Sequence, residues 1–461
     1  MIDKNMLDNI SDPRFRRVCE EVIHGMEHFL VPGVAVGIFY ENKEHIAGFG
    51  VTSIEHPLPV TEDTLFQIGS NTKTYTATAI MRLVEMGKLE LDAPLRTYLP
   101  NLQLADEVVA ARVTMRHLLT HTGGWVGDYF NDFGPGEDAL ATMTAKLSDL
   151  PQLTPLGEVF SYNNSGFYLA GRVIEVVTGK NFEAAIKELI FEPLGLTMSF
   201  FFAEDVITHR FAVGHEVFDE QPKVARPWAI PRAEAPIGGI VCNIKDIFQY
   251  ARFHMGDGTT PSGARLLSSE SLNLMQTPML SATGIYMMGL SWFIETADDT
   301  KFITHGGSTK GQKTDFTIAP AKGFAYAAFT NSDRGGQLCR DVFKVTAKEY
   351  LGVSWLEAVP LNLPEERLTP YVGRYDSARS VCDIHLQDGE LILQLTYKGG
   401  FPTPDSPPQP SPPPVRIALY EEDRMFVLDE PMKGTRGEFL RDSDNHIAWL
   451  RLGDRVHARQ G

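Results

Sequence analysis

"GSNTKTYTATAIMRLVEMGK", residues Gly69 to Lys88, carries a helical period: Ala77, Ile80, Met81 and Val84 recur at i, i+3, i+4 and i+7, and Gly87 supplies a stop. The spacing predicts a helix that begins near Ser70 and buries its apolar face. On such a helix Ser70 and Lys73 share one side, about one turn apart. A serine hydroxyl is a weak nucleophile until an adjacent base takes its proton. A lysine can do so only when desolvation or a nearby cation lowers its pKa. The helix amino end adds free N–H groups and a positive dipole, both favourable to an oxyanion. Taken alone, the tetrapeptide reads better as a helix cap beside a solvated lysine. It is, however, the only S-x-x-K in the sequence, and it follows a strand-turn pattern.

Upstream, Asp12-Pro13 reads as an N-cap with a first-turn proline, followed by Phe15, Val18, Cys19, Val22, Ile23 and Met26 at helical spacing. "GVAVGIFY" and "HIAGFGV" flank the turn Glu41-Asn42-Lys43 as a β-hairpin. Helix signals dominate from about Thr64 to Tyr250. "KFITHGG", "TDFTIAPA" and "GFAYAAFTNS" then alternate as an antiparallel meander, closed by the helical "GGQLCRDVFKVTAKEYLG". Strands at both ends of a helical middle predict one sheet assembled from the two ends, an α+β design with a helical subdomain. After "EAVPLNLPEERLTP" the texture changes to short strands and turns, an all-β module. The expected division is 1–356, a linker 357–369, and a barrel 370–461. The Pro-rich stretch 401–414 inside the barrel reads as a polyproline-like or disordered loop.

The composition, 461 residues with 43% hydrophobic and 22% charged, is that of a globular chain with room for a large and a small domain. A formal charge of -17 and the lack of clustered Lys and Arg argue against nucleic acid as a partner. "MIDKNMLDNISDPRF" has no basic segment ahead of an apolar one, and no later apolar run reaches membrane-span length, so a cytoplasmic location without membrane contact is expected. Cys19, Cys242, Cys339 and Cys382 lie far apart with no CxxC pair, which suits four buried thiols in a reducing compartment.

Two further stretches can join Ser70 and Lys73. In "FSYNNSGFYLAGRVIEVV", Tyr162 and Asn164 stand at the entrance of a helix striped by Ala170, Val173, Ile174 and Val177. A phenol there can share proton transfer with Lys73. Of the other Y-x-N matches, Tyr40 precedes Ser70 at a hairpin end, and Tyr129 lies in a Gly-rich loop with no helix directly behind it. In "FITHGGSTKG" a strand ends in His305-Gly306-Gly307, and paired glycines allow a backbone to approach a ligand closely. The Ser308 N–H would then oppose that of Ser70 as a second oxyanion donor. His117 and His121 have the i, i+4 spacing of a metal pair, but Leu118 holds the place of the H-E-x-x-H glutamate. Packing at a helix end is the preferred reading, and neither a metal nor another cofactor is expected.

Taken in order, "SNTK", "YNN" and "HGG" resemble the three signature elements of the serine β-lactamase and penicillin-binding-protein superfamily. The Tyr-x-Asn element resembles the class C branch, as do "LLTHTGG" and "GGIVCNIKDIFQYARF" (238–253), and the likeness covers roughly residues 12 to 353. It implies Ser70 as the acylated nucleophile, Lys73 and Tyr162 as the proton-transfer pair, and Asn164 as a ligand to the substrate amide or to Lys73. His305, Gly306, Gly307 and Ser308 would line the inner strand. Such β-lactamases usually carry lysine at the position of His305, and a histidine there is mostly neutral near pH 7. The His-Gly-Gly form looks more like esterases, D-amino-acid-directed peptidases and acyltransferases. "YVGRYD" and "GEFLRDSDNHIAWLRLGDRVHAR" resemble the lipocalin-like barrel that some of these peptidases and peptide cyclases append. The resemblance thus implies a serine hydrolase of small esters, amides or short D-peptides, with acyl transfer or covalent β-lactam trapping as alternatives, and allows a homo-oligomer.

Overall fold

Asp12 opens the first helix, α1 (Pro13–Phe29), by accepting the N–H groups of Arg14 and Phe15, and Leu30 ends it in the left-handed region. The computed structural model describes residues 7–8, 10–400, 403, 406 and 410–460. The hairpin follows as β1 (Gly33–Tyr40) and β2 (Lys43–Gly50), with Glu41 and Asn42 both at positive φ in its two-residue turn.

Ten residues of the decisive helix, α2 (Thr72–Glu85), are buried in an unbroken run from Thr72 to Met81, and a 3₁₀ turn, Gly69–Asn71, precedes it. A helix enclosed this way must satisfy its polar side chains internally. Thr74 donates to the Asn71 carbonyl, Thr76 to that of Pro236, and Thr78 shares a bond with Tyr250. Around α2 stand α3 (Asn164–Thr178) and α4 (Ile244–Met255).

The chain then returns to the sheet through three short strands, β3 (Leu280–Thr283), β4 (Tyr286–Met288) and β5 (Phe293–Ala297). The long strands β6 (Thr300–Thr309), β7 (Gln312–Ala319) and β8 (Phe324–Thr330) come next. The order β2-β1-β8-β7-β6-β5-β4-β3 joins the two ends of the segment, since β1 pairs antiparallel with β8, Val34 opposite Thr330. The last three strands of that order extend the predicted meander. Their alternation is cut short by turns at Gly284 and Ser291, which hides them from periodicity.

One face of the sheet packs α1 and α5 (Gly335–Leu351) through Val34, Val36 and Ile38; Ala35 and Phe39 belong to the opposite core beneath the helices. At Gly37 a Cβ would meet Ile244 at 2.5 Å, so its absence lets α4 lie on the strand.

A closed eight-stranded antiparallel barrel follows. Its strands are β9 (Gly373–Asp376), β10 (Ser380–Gln387), β11 (Glu390–Tyr397), β12 (Val415–Glu421), β13 (Arg424–Val427), β14 (Arg436–Arg441), β15 (Ile447–Leu452) and β16 (Arg455–Arg459). Neighbours in sequence pair in order, and β9 meets β16 at Tyr375 opposite Arg459, which leaves no open edge. The Pro-rich stretch joins β11 to β12, and its residues 401–402, 404–405 and 407–409 lie outside the described residues. All four cysteines are buried free thiols. Among the described residues no helix is long and apolar enough to cross a membrane.

The barrel docks on the large domain through the β15–β16 hairpin. The Tyr162 N–H donates to the Asp454 carbonyl (2.8 Å), the Val456 N–H to Ser161 Oγ (3.2 Å), and Trp449 Nε1 to the Leu153 carbonyl (3.2 Å). Arg451 donates to the Phe160 carbonyl (3.1 Å). These bonds seat the hairpin on residues 153–162, immediately ahead of α3.

Candidate active site

Ser70 sits in the 3₁₀ turn at the head of α2, and Lys73 Nζ lies 3.1 Å from its Oγ. Lys73 is fully buried, and its Nζ also donates to the Ile237 carbonyl at 2.9 Å. Burial above all, then the charge of Arg455, drives the Lys73 pKa well below the usual lysine range, with Asp128 and Glu234 acting in the opposite direction. Glu234 offers no standing counter-charge, because burial raises its own pKa well above the carboxylate range despite the pull of Lys73. A neutral Lys73 has a lone pair to take the serine proton. Desolvation, which the tetrapeptide could not reveal, is therefore present.

The backbone around Ser70 is pressed against β6. Gly69 has φ +52, and a Cβ there would stand 2.6 Å from Ser308 N; at Gly307 it would stand 1.9 Å from the Ile68 carbonyl oxygen. Both glycines are needed for this approach. It brings the turn holding Ser70 alongside Gly307-Ser308, the arrangement required for two N–H groups to face one oxyanion. Gly306 pairs with Asp315 in the sheet, and Lys313 Nζ donates to Ser308 Oγ at 2.7 Å.

Tyr162 is buried on the loop before α3, with its hydroxyl turned to Ser70 but without a closed hydrogen bond. Burial raises the phenol pKa, against the opposing influences of Ser70 and Arg455, so it stays protonated at neutral pH. Lys73 Nζ lies 5.0 Å from its ring centroid. Asn163 is the N-cap of α3, accepting the Gly166 N–H, which leaves Asn164 on the side of the site. Asn164 Nδ2 donates to Asp128 Oδ1 at 2.7 Å.

His305 is 2% exposed, and burial, reinforced by Lys73, takes its pKa down to about 3. Its Nδ1–H donates to the Gly306 carbonyl (2.7 Å), so Nε2 carries a lone pair, buried without a partner among the described residues. Its ring lies 6.2 Å from that of Tyr162. His305 thus offers the site an acceptor and no charge.

The barrel supplies what sequence reasoning missed. Arg455 lies with its guanidinium carbon 4.6 Å from the Tyr162 ring centroid and grips Asp128 through Nε (3.0 Å) and Nη2 (3.2 Å). Burial lowers the Arg455 pKa most strongly, but Asp128 more than offsets it and the net shift is upward. No local signal marks either residue, because the pair spans 327 positions and joins two domains. The two histidines of the metal-like spacing engage separately. His117 Nδ1 takes the Thr114 N–H (3.1 Å), and His121 Nδ1 takes the Asn163 N–H (2.9 Å). Tyr40 belongs to the core on the other face of the sheet, and the Tyr129 carbonyl accepts the Tyr168 hydroxyl.

Residues 21–345 match the family model described as Beta-lactamase. Penicillin-binding protein 4 of Amycolatopsis lactamdurans is 33% identical over 355 residues, which are 75% of this chain and 93% of that protein. The crystal structure of SurE superposes with a TM-score of 0.77 at 25% identity over 97% of this chain and 99% of SurE, and SurE with D-Leu gives 0.75 at 24% over the same shares. A class C β-lactamase from Rhodobacter sphaeroides gives 0.58 at 21% identity over 73% of this chain and 98% of its own.

Proposed function

The chain belongs to the beta-lactamase family of serine hydrolases, and from that premise we propose that Ser70 opens small esters or amides, including peptides with D-residues, through an acyl-enzyme. The observation that carries this reading is the fully buried Lys73 with Nζ 3.1 Å from Ser70 Oγ. In the proposed sequence neutral Lys73 takes the hydroxyl proton as Oγ attacks the carbonyl carbon, and the N–H groups of Ser70 and Ser308 hold the oxyanion. The Tyr162 phenol gives its proton to the departing alkoxide or amine, and Lys73 returns its own to the phenolate. Water attacking the ester then runs the same transfers in reverse and frees Ser70. Asn164 and Gly306 line the path of the acyl chain, and the His305 Nε2 lone pair receives a substrate N–H.

The electrostatics favour uncharged acyl groups. Burial works against a charge on Lys73 and on His305, and the Arg455 guanidinium beside Tyr162 is already paired with Asp128. The carboxylate of a penicillin would have to compete with Asp128 for Arg455 or with Ser308 Oγ for Lys313, which supports weak β-lactamase action at most. The D-residue preference draws on SurE, whose structure with D-Leu names a D-amino acid beside a chain of this architecture. A second reading, transfer of the acyl group to an amine, is favoured by the barrel turn at Asp454, whose carbonyl accepts the Tyr162 N–H and so sets the barrel beside the site.

Intact-protein mass spectrometry after exposure to a fluorophosphonate, a p-nitrophenyl ester and a penicillin tests the proposal, with Ser70→Ala as control. A Ser70-dependent adduct that turns over supports the hydrolase, and faster release on adding an amine supports transfer. A lasting penicillin adduct with no ester turnover makes the protein a trap. Full ester turnover in Ser70→Ala sinks the assignment.

A further inference from the structure

His121 lies beneath Tyr162. The two rings stack at 4.4 Å with an interplanar angle of 24°, and the residues on either side of Tyr162 are tied to the same histidine. The Ser161 N–H donates to the His121 carbonyl (3.1 Å), and the Asn163 N–H donates to His121 Nδ1 (2.9 Å). The Arg455 guanidinium covers Tyr162 as well, 4.6 Å from its ring centroid. The tyrosine is therefore fixed through its ring and through both flanking peptides.

Three features indicate that the fold tolerates cost at this position. His121 is fully buried at φ +56, a backbone conformation uncommon for residues other than glycine. Because Nδ1 accepts the Asn163 N–H, the ring proton sits on Nε2, which is buried without a partner among the described residues. The imidazole also stays neutral, held so first by burial and then by the Arg455 guanidinium nearby. A flat ring with an in-plane acceptor close to its own backbone is what this ledge requires, and among natural side chains histidine provides both.

We infer that His121 is a positioning residue for the proton-transfer step: its ring and Nδ1 together set the direction of the Tyr162 hydroxyl toward Ser70. The inference rests on the proposed role of Tyr162 and adds the part that orients it. It predicts a particular kinetic signature, because a phenol that protonates the leaving group matters for alkyl esters and anilides and little for p-nitrophenyl esters, whose leaving group departs without help.

The test compares Tyr162→Phe, His121→Phe (ring kept, acceptor lost) and His121→Asn (acceptor kept, ring lost) on a matched alkyl ester and p-nitrophenyl ester of one acyl group. Each His121 variant is expected to lose roughly 10-fold to 100-fold in kcat on the alkyl ester, with KM held and much less lost on the p-nitrophenyl ester. In the Tyr162→Phe background the His121 changes should add nothing further. Equal losses on both esters, or undiminished losses in the Tyr162→Phe background, overturn the inference and leave His121 a structural residue. If Tyr162→Phe itself shows no leaving-group dependence, the role proposed for Tyr162 fails first, a distinct outcome. Should His121→Phe fail to fold, His121→Asn and the Tyr162→Phe/His121→Asn double variant carry the same comparison.

Discussion

Arg455→Met strips one half of an interdomain ion pair and keeps an unbranched apolar side chain in its place. The Asp128 side chain is 6% exposed and that of Arg455 35%. An exposed pair contributes about 0–1 kcal/mol, whereas removing one partner of a fully buried pair costs about 3–5 kcal/mol. With the carboxylate buried, the cation one-third in water, and Asn164 left as a donor to Asp128, the expected loss is about 2 kcal/mol, roughly 30-fold in the folding equilibrium. The catalytic consequence has a definite sign. Burial and Arg455 lower the Lys73 pKa, while Asp128 and Glu234 raise it. Without the guanidinium the stranded Asp128 carboxylate acts unopposed, so Lys73 keeps its proton to higher pH. The acid limb of kcat/KM for a p-nitrophenyl ester should then move upward. Asp128→Asn added to Arg455→Met removes the stranded charge and should restore much of both quantities. Urea unfolding followed by circular dichroism and a pH–rate profile read the two effects. A loss below about 0.5 kcal/mol, the range of an ordinary surface change, together with an unmoved acid limb, would refute the reasoning.

Tyr162→Phe should abolish turnover of alkyl esters and leave the fold intact by circular dichroism, whereas Tyr129→Phe, altered outside the site, should leave turnover near wild type. Gly307→Ala places a methyl 1.9 Å from the Ile68 carbonyl and 2.2 Å from Thr314 Oγ1; it should cost about 1–3 kcal/mol of overpacking strain in urea unfolding and slow acylation by pushing β6 away from Ser70. The His254 pKa is lowered by burial from 6.5 to about 3. The unfolded chain therefore binds a proton that the folded chain refuses between those values, and this residue's contribution to stability falls as pH drops from 6.5 toward 3. The stability advantage of wild type over His254→Phe should shrink across that window, and a constant difference would contradict the burial argument.

Local periodicity made much of the scaffold legible. The i, i+3, i+4 stripe of Ala77, Ile80 and Met81 set α2, and a serine three residues from a lysine within one turn cannot be far from it in space. The alternation in "GVAVGIFY" and "GFAYAAFT" marked β1 and β8, and their pairing followed from the strand-helix-strand order. β3 to β5 escaped notice because each has only three to five residues, too few for a period to develop.

The tertiary structure decided the chemistry. Whether Lys73 is an ammonium or an amine depends on what surrounds Nζ, and that is set by residues 237, 162, 167 and 455, brought together from three regions of the chain. His121 read as a packing and hydrogen-bonding residue at a helix end, but that its ring stacks on Tyr162 could not be read from the spacing. Asn164 was placed correctly at the helix entrance, but its partner is Asp128. Arg455, the first residue of β16, reaches Asp128 from the other domain with no local signal to mark it. Hydrogen bonding within one turn and hydrophobic alternation are short-range and survive as patterns in the sequence. Desolvation and Coulomb interaction depend on distances that exist only after the chain has folded, so the nearness of Ser70 and Lys73 was legible in sequence and the burial that governs their protonation was not.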